Sequence, residues 1–95
     1  DLPKTSATNP VDAPKFVTVV IDKNGQVFLN EQATSLTQLT DSLKQIAIVK
    51  SDTEVQLRAD ETVAYGKVAE VMGVTQQAGL NRIGFVTQNN QKAVK

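Results

Sequence analysis

A chain of 95 residues makes one small domain; 40% apolar composition suffices to fold it, although three Phe, one Tyr and no Trp leave little aromatic surface to bury. Ten basic and ten acidic side chains cancel and interleave, which excludes the basic block that nucleic acid or anionic lipid demands. With no His and no Cys, disulfides, thiolate chemistry and imidazole-based triads are excluded, and zinc would need a rare all-carboxylate site.

The opening segment DLPKTSATNPVDAPK, residues 1–15, holds all three prolines, Pro3, Pro10 and Pro14, separated by small polar residues. It cannot bury enough apolar surface to offset its ordering entropy, and reads as a flexible Pro-rich linker. Residues 89–95, NNQKAVK, read as a disordered tail. Residues 16–88 between them are the globular domain. No apolar run approaches the roughly 20 residues that span a bilayer, and no signal peptide is visible. The chain opens at Asp1 without a Met, and is read as a piece of something longer.

KFVTVVID (15–22) is β-branched and alternating, and QVFLN (26–30) resumes the pattern after the turn KNG. Asn24-Gly25 is a favoured hairpin dipeptide because both residues tolerate φ > 0. In SLTQLTDSLKQIAIV, Leu36, Leu39, Leu43 and Ile46 recur on one helical face, with Thr34 or Ser35 as N-cap. EVQLRA (54–59) alternates again, placing Val55, Leu57 and Ala59 on one side. A second helix is predicted from Ala64 to Ala78, with Val68, Val71, Met72 and Thr75 inward and Gly79 as its left-handed stop. RIGFVTQ (82–88) is the last strand. The order β-β-α-β-α-β predicts an α+β, two-layer fold: a mixed four-stranded sheet with two helices on one face. Strands 54–59 and 82–88 should be parallel neighbours. The hairpin is left either at one edge or with its first strand central.

The polar stretch Arg58-Ala59-Asp60-Glu61, at the exit of a strand, is where α/β enzymes place chemistry, yet the chain supplies no partner for an acid or base there. The expectation is a connector whose carboxylates face solvent near a helix N-terminus. Tyr65 is expected to pack its ring on the sheet edge. Gly66, Gly73, Gly79 and Gly84 lack phosphate-loop spacing. Gly66 and Gly73 lie inside the second helix, where Gly73 either allows close packing against a neighbour or is a tolerated surface glycine. Asp22, Asp41, Asp52 and Glu54 lack the spacing of a calcium loop. The sequence therefore predicts no catalytic residue, no metal site and no cofactor. A neutral domain with exposed sheet edges describes an interaction module; an enzyme or ligand-binding domain would need a deep apolar pocket with converging polar groups.

LRADETVAYGKVAEVMGVTQQAGLNRIGFVTQ resembles the periplasmic domain of the ExbD/TolR family. The resemblance rests on Arg58-Ala59-Asp60, Thr62-Val63 and Tyr65, Met72, Gln77-Ala78-Gly79, and Ile83-Gly84 with Val86. It is close over residues 55–88 and loose over about 85 of the 95 residues, and Leu2-Pro3 looks like the Leu-Pro that follows the family's single membrane helix. The R-A-D wording points to ExbD rather than TolR. Ala64 departs from the acidic residue often found before the Tyr, leaving Thr62 as helix cap. The resemblance implies a periplasmic domain anchored in the inner membrane of a Gram-negative bacterium. There it would belong to a proton-driven motor with an ExbB-like channel subunit, reached through a membrane helix absent from this chain. It would form a homodimer and engage a TonB-like protein for uptake of siderophores, haem or vitamin B12. The alternative is a TolR-like domain that binds peptidoglycan and a TolA-like partner. Partner contacts are expected by strand addition, on the hairpin's edge strand, at Leu2 and Pro3, or on the last strand: Arg82, Ile83, Gly84, Phe85, Val86, Thr87 and Gln88.

Overall fold

The computed structural model describes residues 16–88; the linker at 1–15 and the tail at 89–95 lie outside the described residues. The elements are β1 (Phe16–Ile21), β2 (Val27–Leu29), β3 (Gln32–Thr34), α1 (Leu36–Val49), β4 (Glu54–Asp60), α2 (Tyr65–Gln77) and β5 (Arg82–Gln88). The sheet order is β3-β2-β1-β4-β5. The first three strands pair antiparallel, while β1 with β4 and β4 with β5 are parallel. The class and the parallel neighbours match the expectation, and β1 proves to be the central strand.

One strand was not expected. After β2 the chain reverses at Asn30 and Glu31, both with positive φ (49° and 76°), so that Leu29 faces Gln32 across a two-residue turn. Positive φ at both central positions suits the twist of a tight hairpin. The Asn30 backbone N–H also donates to the Thr18 carbonyl at 2.9 Å, and its Oδ1 accepts from the Thr18 N–H at 3.0 Å, fixing the turn to β1. The sheet therefore has five strands, and the predicted hairpin edge is interior.

The first turn also differs in detail. Gly25 alone takes positive φ, 82°, while Asn24 does not. Asp22 organises the loop instead: its Oδ1 accepts from the N–H groups of Asn24 and Gln26, each at 2.9 Å. Its carbonyl accepts from Gly25 at 2.8 Å.

Alternation along the strands separates the two sheet faces. Val17, Val19, Ile21, Val55, Leu57 and Ala59 are buried on one side and form a single core with Leu39 and Leu43 of α1, Val68 and Val71 of α2, and Leu80. The helices pack against each other over that face. Ser35 caps α1 reciprocally: its Oγ accepts from the Gln38 N–H at 3.1 Å, while Gln38 Oε1 accepts from the Ser35 N–H at 3.2 Å. At the far end of α2 the Leu80 N–H donates to the Thr75 carbonyl and the Gly79 N–H to that of Gln76, with Gly79 at φ 105°. This is the Schellman stop, and the fully buried Leu80 supplies its apolar contact. In the turn between α1 and β4, Lys50 donates to Asp52 at 2.8 Å and holds the Asp52 carboxyl below the usual carboxylate range.

Candidate functional site

Val55 to Tyr65 turns out to be a joint with a buried anchor. Asp60, expected at the surface, is only 8% exposed. Its Oδ1 accepts from the Thr62 N–H at 2.9 Å and the Thr62 hydroxyl at 2.7 Å, and its carbonyl accepts from the Val63 N–H at 2.9 Å. A side chain that bonds its own backbone two residues on fixes the direction in which the chain leaves the sheet. Glu61, by contrast, is exposed. Thr62 is therefore committed to Asp60 and does not cap α2; the N-cap position is Ala64, which has no side-chain hydrogen bond to offer.

Tyr65 corrects a second expectation. It is 81% exposed and does not pack on the sheet edge. The cause is placement: Tyr65 opens α2 on the solvent side, and the helix first turns inward at Val68. Gly66 and Gly73 are helical as predicted, but a methyl group at either position would meet nothing within 4 Å. No contact within this domain requires them to be glycine. Among the described residues no three His, Cys, Asp or Glu cluster as metal ligands. Surface depressions are open and shallow, such as the polar groove between β3 and α1 at Gln32, Thr34, Gln38 and Asp41.

What the fold does present is a strand edge. β4 pairs one side of β5 along its whole length, from Glu54 opposite Arg82 to Asp60 opposite Gln88, and β5 ends the sheet. Among the described residues nothing pairs with its other side, so alternate backbone donors and acceptors along a seven-residue strand face outward, against a three-residue strand at the opposite edge, β3. An exposed row of this kind is a template for pairing with another chain. The candidate residues Arg82 to Gln88 lie on it together; Leu2 and Pro3 lie outside the described residues. The expected hairpin edge, 26–30, is instead covered by β3.

The two sides of β5 differ in chemistry. Toward the helices, Ile83 packs on the core and Phe85 stays 48% exposed. Among the described residues the opposite sheet face carries no helix. There the register sets Val20, Arg58 and Val86 in one row across three strands, with Val86 48% exposed. One step along, Glu54 reaches over from β4, its Oε2 lying 3.2 Å from where a Cβ on Gly84 would sit. Gly84 leaves that carboxylate room. Sequence reasoning named β5 but not Glu54 and Arg58 beside it, since their position against β5 depends on a register that no single strand encodes.

The family described as Biopolymer transport protein ExbD/TolR matches residues 1–90. The Tol-Pal system protein TolR of Pseudomonas aeruginosa is 36% identical, covering 93% of this chain and 69% of the relative. The biopolymer transport protein ExbD of the same organism is 33% identical, covering 92% and 65%. ExbD of Escherichia coli is 32% identical, covering 98% and 66%. The chain thus spans between 65% and 69% of the length of these relatives. The R-A-D wording is not matched by a clear separation in identity, because TolR and ExbD lie within a few points of each other. With a matching profile over nearly its whole length and relatives above the level at which folds diverge, the chain belongs to the ExbD/TolR family of biopolymer transport proteins.

Proposed function

We propose that this chain is the periplasmic domain of an ExbD-like subunit in a proton-driven motor of the inner membrane of a Gram-negative bacterium. In this reading a membrane helix preceding the domain joins it to an ExbB-like channel subunit. The domain works as a homodimer and couples the motor to a TonB-like protein, and the cargo is taken up at the outer membrane as siderophores, haem or vitamin B12. Residues 1–15, with Leu2 and Pro3, serve as the tether between membrane and domain. No residue of the domain is assigned a catalytic role.

The observation that carries the reading is the seven-residue edge of β5, which no other strand among the described residues pairs. Main-chain pairing along such an edge supplies affinity, and the side chains flanking it supply selectivity. Its two faces, one with Phe85 and one with Val86, offer partly exposed apolar contacts of the kind an added strand buries.

A second reading is favoured by one finding, the 36% identity to a Tol-Pal system protein TolR. There the domain binds peptidoglycan and a TolA-like partner. A single experiment addresses both. The isotope-labelled chain is titrated with a peptide from the periplasmic linker of a TonB-like protein, and separately sedimented with purified cell-wall sacculi. Amide shifts confined to β5 and its neighbour β4 support the first reading. Co-sedimentation without peptide shifts supports the second, and silence in both at millimolar peptide overturns the edge as a docking site.

A further inference from the structure

We propose that Asn24, in the turn between β1 and β2, is a modification site: its side-chain amide converts to an acid through the backbone nitrogen of Gly25, at a rate set by how often that turn opens.

The chemistry needs only these two residues and water. The Gly25 nitrogen attacks the side-chain carbonyl carbon of Asn24 and a new C–N bond forms. The amide nitrogen leaves as ammonia, taking the Gly25 proton with it. Water then opens the five-membered imide at either carbonyl. Breaking the new bond leaves an ordinary aspartate at position 24. Breaking the original peptide bond routes the main chain through the side chain, as an isoaspartyl linkage. Nothing is oxidised or reduced. A side chain on the following residue crowds the attack, and glycine has none.

Sequence and exposure single out this position among thermolabile residues. Residues 24–25 are the only Asn-Gly in the chain. Asn24 is exposed, and among the described residues its side chain makes no hydrogen bond. Asn30, by contrast, is held by the Thr18 N–H at 3.0 Å and precedes Glu31, while Asn81 precedes Arg82.

The same turn supplies a brake. The Gly25 N–H donates to the Asp22 carbonyl at 2.8 Å, so the nitrogen that must attack is already committed. Asp22 Oδ1 tightens the loop by accepting from the Asn24 and Gln26 N–H groups, each at 2.9 Å. The Asp22 N–H donates to the Gln26 carbonyl, also at 2.9 Å. The imide forms only when these bonds let go, and a reaction of an open form proceeds in proportion to its population.

The acid forms beside the start of α2. Asn24 lines one surface depression together with Lys23, Val63, Ala64 and Lys67. Ala64 gives α2 no side-chain cap, and a helix start favours a nearby anion. Two lysines and that helix start therefore attract the new carboxylate. The neighbouring Asp22 carboxylate opposes them, with its Oδ1 already taken up by two N–H groups. The aspartate product thus supplies negative charge where α2 lacks it, whereas the isoaspartyl product lengthens the main chain inside the turn.

The test incubates the 95-residue chain at neutral to mildly alkaline pH and follows each asparagine by peptide mapping, with a separate assay for isoaspartate. Acid is expected at position 24 ahead of every other asparagine in residues 16–88, in both linkages. Asp22→Ala leaves the reacting pair intact and is expected to quicken the conversion about threefold or more, in step with faster amide exchange at Gly25. The chain unfolded in guanidinium gives the rate without the brake, and the folded chain is expected to fall below it. Asn24→Asp is expected to raise the unfolding midpoint at low salt and to lose that gain at high salt. A folded chain that stays unconverted at position 24, while the unfolded chain converts there, overturns the site. Equal rates in the folded, unfolded and Asp22→Ala chains overturn the brake. A midpoint that Asn24→Asp leaves unchanged or lowers overturns the effect on α2.

Discussion

The two helices cover the same sheet face by different means. α1 is locally specified: Ser35 and Gln38 close a reciprocal cap at its start, and its apolar residues form one stripe ending in Leu39 and Leu43 at the centre of the core. α2 has Ala64 at its N-cap, with no side-chain cap, and carries Gly66 and Gly73 in its length. What holds α2 is tertiary and terminal: Val68, Val71 and Thr75 inward, the Thr75 hydroxyl donating to the Val71 carbonyl at 2.9 Å, and the Schellman stop at Gly79. Burial can hold a helix whose own residues specify it poorly. The difference also locates the softer half of the domain, since α2 is the crossover that delivers the chain to β5.

The most damaging way to break this comparison is at the stop. Gly79→Ala forces a side chain into φ 105° and sets its Cβ 3.4 Å from that of Ala47. A loss of about 1–2 kcal/mol is expected, read by urea unfolding, with amide exchange quickening in α2 and β5 before α1. Exchange that quickens evenly would show that the two halves unfold as one. Next in size is a pair of cap changes. Ser35→Ala should cost about 1 kcal/mol through the lost cap, whereas Ala64→Asp should stabilise by a comparable amount by giving α2 the acceptor it lacks. Equal and opposite shifts in the unfolding midpoint would confirm that capping separates the helices; no gain at Ala64 would assign the weakness of α2 to its glycines. The smallest effect is Gly73→Ala, expected to stabilise by roughly 0.8 kcal/mol because the added methyl meets nothing and a helical glycine is relieved. If it destabilises instead, the helix has a neighbour that the described residues do not contain.

The same contrast explains what was legible in the sequence. α1 was readable because its signals are local: a capping residue, a 3.6-residue period, and apolar side chains that need a shared face. β1, β4 and β5 were readable from alternation and β-branched residues. β3 was not. Gln32-Ala33-Thr34 has no apolar alternation and only Thr34 as a strand former, and the turn before it places Glu31, a residue with no conformational licence for the purpose, at φ 76°. Left-handed backbone costs an ordinary residue about 1–2 kcal/mol, so nothing local predicts it; pairing with β2 and the grip of Asn30 on Thr18 impose it. Asp60 and Tyr65 were misplaced for a related reason. Polarity and size suggest exposure for the first and burial for the second, but the course of the joint between β4 and α2 decides both. The residues of β5 were named correctly as a segment. That it is the long edge of the described sheet follows from strand order, and that Glu54 and Arg58 lie beside it follows from register; neither is written in the strand itself.

The short strand β3 has a consequence for how large an assembly can become. A sheet open on two comparable sides has a valence of two and can add copies indefinitely, which is the route to fibres. Here β2 is already partnered, and the three residues of β3 offer less than half the length of β5. The valence is effectively one. Among the described residues, a strand added at β5 would leave only the three residues of β3 open, too short an edge to carry the sheet further.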